Sequence, residues 1–185
     1  MTLSLTAEII TAMPDPELII RLMKKARQLT TSGKLLKDQL GYTETLIEEL
    51  YTVAMGLYNK SQFNEAIEMF EELFYLDPLS YKICYGLGAT AQQMGEWYKA
   101  IGFYAYAEEN KPQAPEPIYF SAECAVQIGK EKGAADLYKK VVALCDKNPD
   151  YKDLKDRSQA LADALEKRIK EGNPPLCLRS EAKNL

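Results

Sequence analysis

The stretch Gly86-Leu-Gly88-Ala-Thr-Ala-Gln-Gln-Met-Gly95-Glu-Trp-Tyr-Lys-Ala100-Ile-Gly-Phe-Tyr104 decides the fold. It sets a small residue at Gly88, a turn signal at Gly95, a second small residue at Ala100 and an aromatic at Tyr104. The same series stands 34 residues upstream as Ala54, Ala66 and Phe70, and 34 residues downstream as Ala122, Ala134 and Tyr138. Pro78 and Pro112 are separated by that step too. A fixed period of this length means one supersecondary unit stacked on copies of itself. The positions have physical jobs. Helices that pack closely, at about 8–10 Å, need small side chains where they cross. The aromatic four residues after the second small residue falls on the same helical face.

Period, small residues, aromatic and Pro together form the tetratricopeptide pattern, a pair of helices per repeat. Unit one runs over 47–80, unit two over 81–114 and unit three over 115–148. Gly95 and Gly129 end first helices with left-handed C-caps. Lys60-Ser61-Gln62 does that job in unit one. Pro78 and Pro112 close second helices, because Pro cannot continue a helix. In unit three the closing Pro is displaced to Pro149, and Glu131 stands where the others have Phe63 and Trp97. Atypical terminal repeats are expected of such arrays.

The expected fold is therefore all-α: three tetratricopeptide repeats in an α-solenoid, with an N-terminal helix and a C-terminal capping helix. The expected boundaries are 1–42, 43–148 and 149–185. Asp15-Pro16-Glu17 opens the N-terminal helix, with Asp as N-cap and Pro at the first helical position. Leu18, Leu22, Ala26 and Leu29 form its apolar stripe. That stripe either caps the first repeat or packs against a second subunit as a homodimer. Thr43 or Thr45 caps the first repeat helix. Leu154 to Glu171 reads as an amphipathic helix with Leu154, Leu161, Leu165 and Ile169 along one side. The residues beyond Pro175 read as a mobile tail.

Composition narrows the chemistry. The chain has 185 residues, 46% of them hydrophobic, and a net charge of −4. The acidic balance argues against nucleic acid as the main partner. No apolar run approaches the ~18–20 residues of a membrane span, so membrane insertion is not expected. Met1 to Glu8 lacks the basic and apolar regions of a secretory signal. There is no histidine, which removes Ser/His and Cys/His catalysis. Cys84, Cys124, Cys145 and Cys177 form no CxxC pair, so a zinc site is not expected. Cys84 and Cys124 fall on predicted helices and read as small buried thiols, and a reducing cytoplasm fits this cysteine usage better than an oxidising compartment. Gly86-Leu-Gly88-Ala-Thr-Ala91 superficially resembles a dinucleotide loop, but the strand that motif needs is missing. No catalytic residue, metal or cofactor is expected.

First helices of stacked pairs line one wall, and residues at i, i+3 or i+4, and i+7 share a face. The wall residues so placed are Glu48, Tyr51, Met55 and Tyr58 in unit one. They are Lys82, Tyr85, Ala89 and Gln92 in unit two, and Glu116, Tyr119, Glu123 and Val126 in unit three. Tyr51, Tyr85 and Tyr119 are again 34 apart. A tyrosine ladder offers apolar area and hydroxyls to an extended peptide. The candidate peptide-binding set is Tyr51, Met55, Tyr58, Lys82, Tyr85, Ala89, Gln92, Tyr119 and Glu123. The three tyrosines are expected to be largely accessible to solvent.

Leu50-Tyr51-Thr-Val-Ala54, Leu76-Asp77, Gly86-Leu-Gly88-Ala89 with Gln93-Met94-Gly95, and Glu116-Pro117 followed by Ala122-Glu123-Cys124 resemble the class II chaperones of bacterial type III secretion. The resemblance covers roughly Gly33 to Lys155. It implies a bacterial cytoplasmic protein without enzymatic activity. It implies that the repeat groove holds an N-terminal segment of hydrophobic translocator proteins, keeping them soluble and apart before export. It also implies dimers formed through the N-terminal region. The long Leu/Lys-rich N-terminus and the tail Pro174-Pro175-Leu176-Cys177 depart from the family pattern. A general tetratricopeptide scaffold for another cytoplasmic protein is the alternative reading of the same groove.

Overall fold

A computed structural model of the chain describes residues 35–146 and 148–176. The expected N-terminal helix with its Leu18–Leu29 stripe lies outside the described residues, as does the tail beyond Leu176. Among the described residues there are eight α-helices, one 3₁₀ turn and no strand. The chain folds into two compact units, one ending at Lys111 and the other starting at Pro112.

The first unit holds α1 (Leu36–Gln39), α2 (Glu44–Asn59), α3 (Phe63–Leu76), α4 (Tyr81–Gln93) and α5 (Trp97–Asn110). The Thr43 hydroxyl caps α2 by accepting the Leu46 N–H at 3.2 Å, which satisfies one orphan donor of the first turn. Ser61, at φ 60°, is the left-handed residue between α2 and α3. Gly95, at φ 75°, takes that place between α4 and α5. After α3 the chain turns at Asp77-Pro78. The Asp77 carboxylate accepts the Leu79 N–H at 3.2 Å, and the Asn110 side chain donates to the Pro78 carbonyl at 3.1 Å.

The repeat positions do what the spacing demands. Ala54, Ala66 and Ala100 have no exposed surface, and Phe70 and Tyr104 are buried as well. A Cβ on Gly86 would stand 2.6 Å from Phe70, and one on Gly88 2.6 Å from Tyr104. The α4 backbone therefore comes closer to these rings than any side chain would allow. Burial of the large rings contributes roughly 1.5–3 kcal/mol each.

The segment before α2 is more than a connection. Lys37 of α1 is buried, and its ammonium donates to Asp77 at 2.8 Å and also pairs with Glu44. Burial pulls its pKa down, but hydrogen bonds to Asp77 and Glu44 outweigh it, and the net shift is upward. The charge is thus retained, as a buried ammonium needs paired carboxylates.

The second unit holds α6 (Glu116–Gln127), α7 (Glu131–Cys145), a 3₁₀ turn (Pro149–Tyr151) and α8 (Lys152–Lys170). Gly129, at φ 71°, links α6 to α7. Ala122 and Ala134 are fully buried, and Tyr138 is buried too. The Asn148 side chain accepts the Asp150 N–H and opens the 3₁₀ turn. α8 packs on α7, but not along the whole stripe expected. Its buried face is Ser158, Ala162 and Leu165, while Ile169 is exposed. Ile169 shares that face by helical spacing but stands in the last turn of α8, which ends at Lys170. Lys155 pairs with Asp146 at 2.7 Å, and Lys139 pairs with Glu166.

A candidate peptide-binding wall on the first unit

In the first unit α2 and α4 lie side by side. The Lys82 ammonium donates to Glu48 at 2.5 Å, joining residues 34 apart in sequence. The same ammonium lies 5.4 Å from the centre of the Tyr51 ring. One cation thus bridges equivalent positions of successive repeats and covers an aromatic face, an attractive arrangement. Tyr51, Met55 and Tyr58 of α2, and Tyr85, Ala89 and Gln92 of α4, are all half-buried, and Lys82 is exposed. Helical spacing puts each set on one face of its helix.

Other aromatics widen this surface. Tyr85 stacks on Tyr81 with ring centres 5.8 Å apart, and the Lys111 ammonium lies 5.0 Å from the Tyr81 ring centre. Tyr58 meets Phe63 edge-on at 5.6 Å. The Tyr104 hydroxyl donates to the Gln92 side-chain oxygen at 2.7 Å, which fixes both. The repeat spacing does not bring in Tyr81 or Lys111. The signal for Tyr81 is its place four residues before Tyr85, on the same helical face. Lys111 has no such signal, because it lies past the end of α5.

The tyrosines are less accessible than expected, and the correction has a geometric cause. Each lies against the aromatic of the second helix in its own repeat. Ring centres are 5.8 Å apart for Tyr51 and Phe70, 5.7 Å for Tyr85 and Tyr104, and 5.6 Å for Tyr119 and Tyr138. Tyr51 and Tyr85 keep part of their surface, whereas Tyr119 is only 4% exposed. Burial raises the Tyr51 phenol, with Lys82 working in the opposite direction. The hydroxyl therefore stays protonated and able to donate at neutral pH.

In the second unit, Arg157 of α8 and Glu123 of α6 act on the Tyr119 hydroxyl electrostatically. Burial first, then Glu123, raise the Tyr119 phenol, and Arg157 opposes them. Glu123 is half-buried. Arg157 carries no sequence signal for this role, because it belongs to a helix that reads only as a cap.

Among the described residues no group of three or more Cys, Asp or Glu could hold a metal ion. Cys84, Cys124 and Cys145 are buried free thiols. No helix of the described residues is long and apolar enough to cross a membrane. The first unit's wall combines apolar ring area, hydroxyl donors and a cation. Such a surface suits an extended main chain carrying apolar side chains.

The tetratricopeptide repeat family model matches residues 47–78 and 84–110. The low calcium response locus protein H of Yersinia pseudotuberculosis is 29% identical over 120 residues, 64% of this chain and 71% of that protein. A type III secretion complex from Aeromonas hydrophila contains a chain with TM-score 0.74 and 25% identity, covering 78% of this chain and 96% of that one. The type III secretion chaperone SycD of Yersinia enterocolitica, solved with a peptide of the translocator YopD, superposes with TM-score 0.65 at 27% identity. That match covers 69% of this chain and 97% of SycD.

Proposed function

We propose that this chain is a type III secretion chaperone built on tetratricopeptide repeats and that it holds hydrophobic translocator proteins in soluble form before their export. The client offers an extended segment. In the first unit that segment lies along Tyr51, Met55, Tyr58, Lys82, Tyr85, Ala89 and Gln92. In the second unit Glu123 holds the corresponding wall position and is a client contact there, whereas Tyr119, only 4% exposed, is not. The protein works in the bacterial cytoplasm, without catalysis, and assembles as a homodimer through its N-terminal region.

The observation that carries this reading is the wall of half-buried tyrosines, with Lys82 paired to Glu48 and lying over the Tyr51 ring, in a chain similar to a chaperone solved with a translocator peptide. Half-buried aromatic rings are good anchors, since they have little conformational freedom to lose. The test is co-expression with a translocator encoded in the same secretion locus. The pair should co-purify, and the translocator alone should precipitate. A translocator that stays soluble alone and never co-purifies would leave the general scaffold reading in its place. Light scattering tests the assembly: the full chain should have the mass of a dimer at micromolar concentration, and deletion of residues 1–30 should halve it.

A further inference from the structure

The first residue of the second helix behaves differently in the two units. Phe63 opens α3 and packs edge-on against Tyr58. Trp97 opens α5, with its ring 3.8 Å from where a Cβ on Gly95 would sit. Glu131 opens α7, yet it is only 6% exposed. A carboxylate is rarely buried unless it is paired.

Its partners come from the other end of the unit. Gly172, at φ 68°, turns the chain back after α8. The Arg168 guanidinium donates to the Pro174 carbonyl at 2.7 Å. The Leu176 N–H donates to the Glu131 carboxylate at 2.6 Å. Arg168 Nε lies 3.5 Å from the same carboxylate oxygen. The Pro175 Cβ is 3.6 Å from where a Cβ on Gly129 would sit. Residues 174–176 thus cross the α6–α7 turn, with Pro175 over Gly129 and the Leu176 N–H on Glu131.

We propose that the α6–α7 turn is a docking site for the chain's own C-terminal segment, with Glu131 as its receptor. The ligand is an extended Pro-Pro-Leu stretch that offers one main-chain N–H and one proline ring. In the second unit this strap supplies the cover that Phe63 and Trp97 supply in the first. Arg168 has two tasks: it holds the Pro174 carbonyl and balances the charge of Glu131. Leu176 is 44% exposed, so its N–H rather than its apolar group provides the hold. A hydrogen bond to an ionised acceptor is the stronger kind, which suits a strap with so little buried area.

Amide hydrogen exchange and NMR on the full chain test this. In the native protein the Leu176 amide should exchange at least about tenfold more slowly than in an open chain, as one charge-assisted hydrogen bond allows. In Glu131→Ala that protection should vanish while α6 and α8 amides keep theirs. Leu176→Pro removes the donor and leaves Glu131 untouched, so it covers the case in which Glu131→Ala fails to fold. There, proton contacts between Pro175 and Gly129 should be lost. A Leu176 amide that exchanges at the open-chain rate in the native protein overturns the proposal. So does a Pro175–Gly129 contact that survives Leu176→Pro.

Discussion

A methyl group placed on Gly88 would stand 2.6 Å from Cδ1 of Tyr104. Ala54 and Ala122 occupy the same repeat position, 34 residues away on either side, and both are accommodated. The difference lies in the ring. The Tyr104 hydroxyl is tied to Gln92 of the same helix that carries Gly88, and this holds the ring against the backbone. Gly88→Ala should therefore destabilise the fold. Overpacking costs about 1–3 kcal/mol, and the better helix propensity of Ala returns up to about 1 kcal/mol. A lowered urea midpoint with an unchanged m-value is expected. A raised midpoint would show that the ring moves freely and that the close approach has no cost.

Much of this architecture is legible in the sequence. The period alone puts Ala54, Ala66, Ala100, Ala122 and Ala134 at helix crossings, and all are fully buried. Ser61, Gly95 and Gly129 read as turn residues and have positive φ. What escapes depends on contacts distant in sequence. Lys37 looks like part of a connector, and only Asp77, 40 residues away, makes it a buried ion pair. Glu131 is visible as a departure from the pattern, but nothing local marks Leu176, 45 residues on, as its donor. The period finds the tyrosine ladder, yet it cannot rank burial. Tyr119 packs edge-on against both Phe120 and Tyr138 and keeps only 4% of its surface, a difference from Tyr51 that the period does not encode.

The tyrosines should separate by their cost to stability. Tyr119→Ala opens space beside Tyr138 and should cost about 3 kcal/mol, the lower end for a buried aromatic. Tyr51→Ala and Tyr85→Ala remove half-buried rings and should cost about 1–2 kcal/mol each on the same scale. Chemical denaturation of the three variants gives the order. Equal losses at all three positions would mean that ring packing on Phe70, Tyr104 and Tyr138 does not govern stability here.

The thiols should be silent in the folded protein. Burial is the main cause that pushes Cys84 and Cys124 up to about 12, with Asp77 and Glu123 adding to it respectively. A thiol raised in the folded state ionises first in the unfolded chain. The stability linked to it is complete below pH 9 and is lost as pH rises from 9 toward 12. Iodoacetamide at about pH 8, below the ordinary thiol pKa of about 8.5, should leave both residues unmodified in native protein and alkylate both in urea, as read by peptide mass spectrometry. Rapid native alkylation of Cys84 would mean that the α4–α5 packing opens far more readily than a fully buried thiol implies.

The Glu48–Lys82 pair separates folding from client binding. Both side chains are more than half exposed, and exposed pairs contribute only about 0–1 kcal/mol. Lys82→Glu should therefore leave the unfolding midpoint almost unchanged. It sets two carboxylates together and removes the cation from the Tyr51 ring. A client segment lying along this wall would lose its cationic neighbour and meet local repulsion. Its affinity should fall about tenfold, equivalent to about 1.4 kcal/mol, mostly through slower association and with a changed salt dependence. The exchange Glu48→Lys with Lys82→Glu rebuilds the ion pair in reverse and should recover part of that loss. Calorimetric titration with the translocator's chaperone-binding segment compares the wild type with both variants. Wild-type affinity in Lys82→Glu would move the client away from the α2–α4 wall.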